Sequence, residues 1–512
     1  MEKFSMKTVV NDVAFKGLAI MDGAWSELAA SLRPFMLITL MCVVACVTGA
    51  CASTSRAAAS TAPIKTLLVT GQNNHNWQFT SRLHAETLRA SGRFDVDVTD
   101  EPAKTLADAK KLSEYQLVVL DYNGPRWGEA AEKNFAAAVQ GGTGVVVIHA
   151  SNNAFEGWTD YEKLVALCWR KETGHGKFHV FDVDATKEQH PITAGVNPIV
   201  QHPDELYHKL ANPQKAEFKT LLDAYSDPET GGIGTREPMA IVLQFGKGRV
   251  FHTPLGHVWL GAHDQKASIC DPQFKNLICR GGEWAATGTV TLPTAWTDTR
   301  MHNTLTAQEA AAGWKLLFDG TVATGLRGFK AADMPVEGWK AENGTLHHVA
   351  SGGGGDLVTR DEYGDVEFSV EWKISPKGNS GIMYRVSEDQ NTPWLTGPEM
   401  QILDDGGHPD KDNPKTRAGT MYGLYACAFD VARPAGEWNT AVVRIKGSKV
   451  EHWLNGWKVV EVDLAGDDLK KLIAGSKFKD FPKFAKNSKG RFALQDHGDD
   501  VWFRNIKVRE LK

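Results

Sequence analysis

The hydrophobic period changes partway along this chain, and the change sets what it can fold into. Up to about residue 149, β-branched runs alternate with helix-patterned stretches: strands are expected at Lys65–Thr70, Phe94–Val98, Tyr115–Leu120 and Gly144–His149, and helices near Gln78–Ser91 and Glu129–Gln140. Continuously apolar strands separated by helices form a parallel sheet covered on both faces. From Trp314 the period becomes two. Val366–Ile374 alternates apolar and polar residues without a break, and residues 450–462 read as a hairpin turning at Asn455-Gly456. At 512 residues the chain exceeds one ordinary core. The expected fold is multidomain: an α/β domain over 64–290, a linker over 291–312, and an all-β concanavalin-like jelly-roll sandwich over 313–512.

Ahead of these domains the one long apolar stretch, Phe35–Ala50, follows Arg33 and runs into small residues. It reads as a secretion signal over 1–52, followed by a Ser/Thr/Ala-rich spacer over 53–63. Val43-Val44-Ala45-Cys46 looks like a bacterial lipobox, and Thr48-Gly49-Ala50-Cys51 is a poorer copy. The expectation is therefore export from a bacterial cell, to the periplasm or as an anchored lipoprotein, with membrane contact only through that lipid. A net charge of -5 with no long basic run argues against nucleic acid as a partner. The 16 Trp suit either core packing or the C–H faces of sugar rings. Of the cysteines beyond the leader, Cys270 and Cys279 leave a disulfide and a pair of buried free thiols both open.

A parallel sheet places its site beyond the C-terminal strand ends, here Gly71–Trp77, Asp121–Gly124 and His149–Asn153. Several strings in order, among them Val69 to Trp77, Val146 to Phe155, His190-Pro191-Ile192, Asp204 to Tyr207, Arg236 to Met239 and Gly246 to His257, resemble the trehalose-utilisation (ThuA-like) family. The resemblance covers Lys65–Val290 and implies a flavodoxin-like fold related to class I glutamine amidotransferases. Those relatives place a nucleophilic Cys at the turn after a strand like Val145–His149. Here the turn reads Ala150-Ser151-Asn152, so glutamine hydrolysis by a thiolate is not expected. What remains is His149, Asn153, Glu205, Glu237, His252 and His257, with His75 and His175 on flanking loops. Neutral imidazole with carboxylate suits a divalent metal ion or acid–base work, and the same groups would also serve to satisfy backbone atoms at loop ends. No nucleotide cofactor is expected, since the Gly352–Gly355 run is followed by neither GK[ST] nor a helix start.

The second half carries Leu317 to Gly320, Gly355 to Thr359, Gly378 to Arg385, Thr396 to Asp404, Gly419 to Tyr422, Glu437 to Asn439, Glu451 to Gly456 and Leu494 to Gly498. This string resembles the 3-keto-disaccharide hydrolase family over Trp314–Leu511. The resemblance implies a 3-keto-glycoside substrate, made by an upstream sugar 3-dehydrogenase. A C3 carbonyl acidifies the C2 hydrogen, so a base removes it, the C1 aglycone leaves by β-elimination, and water then adds, for net hydrolysis. That needs a base, a cation or donors for the enolate oxygen, and an acid for the leaving group. The expected acid–base or metal set is Glu399, His452 and His497, with Arg385, Gln401, Asp404, Tyr422, Gln495 and Arg504 on substrate. Strand parity puts Glu399 and Gln401 on one face and Met400 and Ile402 on the other. The competing reading is a non-catalytic carbohydrate-binding sandwich that serves a sugar-active ThuA-like domain.

Overall fold

Alternate residues of the first strands belong to different cores. Leu68, Val119, Val146 and Ile148 pack with Phe79, Leu83 and Phe274 on one side of the sheet. Leu67, Val69, Val118, Val145 and Val147 pack with Phe135, Val139 and Trp158 on the other. Burial on both faces is why these strands are apolar at every position rather than at every second one. The computed structural model describes residues 62–512, so the expected leader, its Cys46 and Cys51, and most of the spacer lie outside the described residues. Among the described residues no helix is long and apolar enough to cross a membrane.

Nine strands make this sheet. Phe94–Thr99, Ile64–Val69, Leu117–Leu120, Gly144–Ile148 and Gly248–Thr253 run parallel in that order. The expected parallel arrangement covers these five and then stops, because a two-residue turn at Gly246-Lys247 joins Arg236–Phe245 to Gly248–Thr253 as an antiparallel hairpin. A turn that short cannot make a parallel crossover. Lys219–Tyr225, His179–Ala185 and Ile199–Asp204 continue the sheet antiparallel. The helices Trp77–Ala90 and Pro272–Thr287 begin at side-chain caps, Asn76 on the Phe79 amide and Asp271 on the Gln273 amide. Cys168, Cys270 and Cys279 are buried free thiols, so the Cys270–Cys279 disulfide does not form.

The second half is a sandwich of an eight-stranded and a five-stranded sheet, antiparallel throughout. Val366–Ile374 forms the strand its period requires, with Val366, Phe368, Val370, Trp372 and Ile374 all in the core. Asn455 and Gly456 turn the hairpin between Lys449–Leu454 and Trp457–Asp463 with φ of 49° and 83°, the left-handed pair that such a two-residue turn demands.

Polar contacts join the halves. The Lys266 ammonium, 1% exposed, donates to Asp430 Oδ1 at 2.6 Å and to the Ala432 carbonyl at 2.8 Å. Asn76 Nδ2 donates to the Asp430 carbonyl at 2.8 Å, and Trp457 Nε1 donates to the Gln78 carbonyl at 2.8 Å. Arg433 pairs with Glu86, which Arg300 also reaches at 2.9 Å. Burial alone would raise the Glu86 carboxyl, but Arg433 and Arg300 hold it down at about 2. Glu86→Ala strands the Arg433 guanidinium in the interface, and breaking a buried pair from one side costs about 3 kcal/mol. We expect a lower Tm by calorimetry at pH 7. The gap to the wild type should narrow as acid protonates Glu86, from about pH 4.5 towards about 2.

Candidate functional site

Each half has a cleft lined with titratable groups. In the sandwich, Glu399–Leu403 pairs antiparallel with Asn379–Val386. Alternation sends Met400 and Ile402 into the core and leaves Glu399 and Gln401 on the wall of a cleft of about 400 Å³. Gly381 makes room for the carboxyl, since a Cβ there would lie 2.0 Å from Glu399 Oε1. Burial pushes Glu399 up to about 8; Lys477, which lines the same cleft, works against the rise and Asp356 adds to it. The Gln401 amide lies 2.9 Å from Glu399 Oε1, so its oxygen can accept from the acid and, once turned, its nitrogen can donate to the carboxylate.

Tyr422, Gln495 and His497 share this cleft. His497 sits exposed, its Nε2 3.5 Å from Asn379 Nδ2, and Gln495 keeps a buried Oε1 with no protein partner. Burial pushes Asp356 up to about 6 although the Asp496 amide donates to it at 2.9 Å. Lys477 holds its ammonium 4.5 Å from the centre of the Tyr422 ring, and Trp394, Phe478 and Phe481 form an aromatic side. Lys477 and these three aromatics were not among the expected residues. They come from the one-turn 3-10 helices Pro393–Leu395 and Lys477–Asp480 and the residue that follows the second, segments too short to show a hydrophobic period.

Four expected residues lie elsewhere. His452 is fully buried between Gly419 O at 3.0 Å and Tyr384 Oη at 3.1 Å, and burial pushes its imidazole down to about 4. The parity that opposes it to Glu451 and Trp453 turns it into the core rather than to a cleft. Arg385, at φ 57° in a break of the strand register, donates to the Asn487 and Gly447 carbonyls at 2.8 and 2.6 Å. Arg504 pairs with Glu371 at 2.8 Å and stacks 4.1 Å over Trp438, beside the joint between the halves. Asp404 closes a turn by accepting from Lys377 N at 2.7 Å and Gly406 N at 3.0 Å.

In the α/β half three histidines meet at the C-terminal ends of parallel strands. His75 follows Ile64–Val69, His149 follows Gly144–Ile148, and His257 follows Gly248–Thr253. His149 Nε2 lies 3.2 Å from His75 Nε2 and 3.1 Å from His257 Nδ1, and His75 Nε2 lies 3.1 Å from His257 Nδ1. Hydrogen bonding fixes two of the rings. His149 Nδ1 must donate to Pro254 O at 2.7 Å, and His75 Nδ1 faces Asn73 Oδ1 at 3.2 Å and Asn74 Oδ1 at 3.1 Å. Both Nε2 atoms therefore turn lone pairs toward each other. Burial pushes all three rings down, His75 to about 3, His257 to about 4 and His149 well below its usual value, so they are neutral near pH 7.

The neighbours hold this arrangement in place. Tyr207 Oη is 2.8 Å from His149 Nε2. Asp204, fully buried, accepts from Gly256 N at 2.7 Å and His257 N at 3.1 Å and so fixes the loop carrying His257. Glu205 lies 3.3 Å from His257 Nδ1 and 3.2 Å from His175 Nδ1, and burial pushes it up to about 7. Asn153 lines the same cleft of about 470 Å³. Glu237 and His252 do not reach it. Glu237 accepts from Lys209 N and Thr235 Oγ1, and His252 is fully buried against Val165 O at 3.0 Å. At the end of Gly144–Ile148, where a nucleophilic Cys would be sought, stands His149 with φ 44°. The nearby thiol, Cys168, is buried and pushed up to about 12.

Comparison with known proteins agrees with both halves. Residues 65–285 match the family described as trehalose utilisation, ThuA, and residues 313–509 match the family described as a 3-keto-alpha-glucoside-1,2-lyase-like domain. A 3-keto-disaccharide hydrolase of Bacteroides thetaiotaomicron is 34% identical over 232 residues, 39% of this chain and 79% of the relative. A solved structure from Parabacteroides distasonis, provisionally described as a glycosyl hydrolase, is 33% identical with TM-score 0.39 and aligns with 41% of this chain and 100% of its own. Another, provisionally ThuA-like, from Parabacteroides merdae, is 37% identical with TM-score 0.41, over 45% of this chain and 93% of its own. The relative's name and the two family matches support a carbohydrate-processing hydrolase. The chain belongs to the 3-keto-disaccharide hydrolase family and carries a ThuA domain and a 3-keto-disaccharide hydrolase-like domain in one polypeptide.

Proposed function

We propose that the sandwich cleaves 3-keto-glycosides by taking the C2 proton with Glu399 and expelling the C1 aglycone by β-elimination. The observation that carries this reading is the desolvated Glu399 carboxyl facing a sugar-sized cleft. A carboxylate whose conjugate acid sits near 8 is a stronger base than an ordinary one, which suits a carbon acid. Lys477 supplies a cation for the charge that moves onto the C3 oxygen. His497, exposed in the same cleft, serves in this reading as the acid for the departing oxygen. Trp394 and Phe481, whose ring centres are 5.2 Å apart, offer flat faces to the sugar. The substrate comes from a reaction that oxidises a sugar at C3. Export and lipid anchoring of the chain, read from its first 52 residues, belong to the same proposal.

In the ThuA half we infer a divalent metal held by His75, His149 and His257. Neither of two facing lone pairs can donate to the other, and a cation between them removes the conflict. Zn–N bonds of about 2.0–2.1 Å in tetrahedral geometry put ligand nitrogens about 3.3 Å apart, close to the spacings of 3.1 and 3.2 Å here. Protein purified without chelator should hold a divalent ion by elemental analysis, and His149→Ala should lose it.

Two measurements test Glu399. Glu399→Gln should slow aglycone release from a 3-keto-glycoside by about 10²- to 10⁴-fold, while wild-type turnover in D₂O places deuterium at C2. Retention of the original C2 hydrogen would overturn elimination. The wild-type kcat/KM should climb with pH and level above about 8 as Glu399 ionises. Stability should move the opposite way. Because the folded-state value lies above the unfolded one near 4.5, wild-type stability falls as pH rises from there towards 8. The neutral Gln variant escapes that loss, so its Tm should gain on the wild type across this window.

A further inference from the structure

Elimination at Glu399 would leave one step of the net hydrolysis undone. Expulsion of the aglycone yields a 2-hydroxyglycal-3-one, in which a C1=C2 double bond is conjugated with the C3 carbonyl. Net hydrolysis requires water across that bond. We propose that the His75–His149–His257 cleft hydrates this enone sugar, so that the ThuA half consumes what the sandwich releases; the inference rests on the elimination proposed above.

The cleft is the right size and surface for one sugar ring. Its volume of about 470 Å³ is in the small-ligand range. Trp259, 48% exposed, lies nearly parallel to the His257 ring at 6.1 Å and presents a flat face, while Trp169 packs edge-on to Tyr207 at 4.6 Å. Glu205 stands on the same wall, 3.3 Å from His257 Nδ1, and the Tyr207 hydroxyl lies 2.8 Å from His149 Nε2. Both clefts belong to one unit, Ala62–Lys512. Asn76, next to His75, bonds the Asp430 carbonyl of the sandwich, and Asp405, in the turn that follows the Glu399 strand, comes within 4.8 Å of His263.

The step balances with water alone. The water oxygen bonds to C1 as Glu205 takes its proton, and the C1=C2 electron pair becomes the C2=C3 double bond of an enolate as the carbonyl pair moves to the C3 oxygen. C2 then takes the proton that Glu205 removed from the water, which restores the carboxylate, and the C3 ketone returns, giving 3-keto-glucose. One water is consumed and nothing is oxidised or reduced. A divalent ion on the three imidazoles supplies a Lewis acid for the charge. The two indoles offer flat faces to the sugar.

The test uses the full chain and two substrates, a 3-keto-glycoside and the isolated enone, followed by enone absorbance and by chromatography of 3-keto-glucose. With the 3-keto-glycoside, Glu205→Gln and His149→Ala should accumulate enone, and both should hydrate added enone at least about 100-fold more slowly than wild type. Glu399→Gln should form no enone from the glycoside yet convert added enone. Elemental analysis gives a separate readout, with the ion lost in His149→Ala and retained in Glu205→Gln. Wild-type rates of enone hydration in both ThuA variants would overturn the proposal while leaving elimination standing. Aglycone release by Glu399→Gln at the wild-type rate would instead overturn the elimination reading, and hydration of added enone would still judge the ThuA cleft on its own.

Discussion

A lysine that is 1% exposed cannot keep its charge without anionic and carbonyl partners, and Lys266 finds both across the joint between the two halves. Its bonds to Asp430 and Ala432 bring the 430–433 segment of the sandwich against the first helix of the α/β half. Asn76 then binds the Asp430 carbonyl, and Glu86 binds Arg433. Withdrawal of the sandwich would leave Lys266 and Arg433 buried or exposed in the wrong company. The two halves are therefore fixed to each other by desolvated charge, where a flexible tether would have left them independent.

The same desolvation acts on the two clefts with opposite sense. A carboxyl taken out of water prefers its neutral form, which raises Glu399; an imidazole taken out of water also prefers its neutral form, which lowers His75, His149 and His257. One cleft thereby holds a carboxyl pushed up to about 8, and the other holds three imidazoles pushed below their usual value. Gly381 and Asp204 are the quiet supports, one by having no Cβ where the Glu399 carboxyl lies and the other by holding the His257 loop from beneath.

Parity carried much of the sandwich site. Because side chains alternate strictly along a strand, Glu399 and Gln401 had to share a face, and the structure shows them sharing a cleft wall. The same rule was silent on which face is the core, and His452 shows the consequence: its face looks inward, onto Tyr384. Arg385 and Arg504 stood in motifs, but a motif records that a residue is needed and not what it touches, and both turned out to hold carbonyls or carboxylates of the frame. Lys477 was invisible because a single 3-10 turn is too short to show a period from which a direction can be read.

What the sequence by itself determined is therefore whatever depends on neighbours in the chain. The doubly buried strands, the two-residue turn at Asn455-Gly456, the change of architecture near Trp314 and the strand ends where the histidines stand are all of this kind. The tertiary structure alone decided which distant groups meet. His75 and His257 are 182 residues apart and come to 3.1 Å only because parallel strands align their C-terminal ends. Glu399 and Lys477 stand on separate segments of the sandwich and line one cleft only through its folding. Period and parity are local properties of a chain, whereas convergence in a cleft depends on packing between segments, and one sequence read along its length contains no term for that distance.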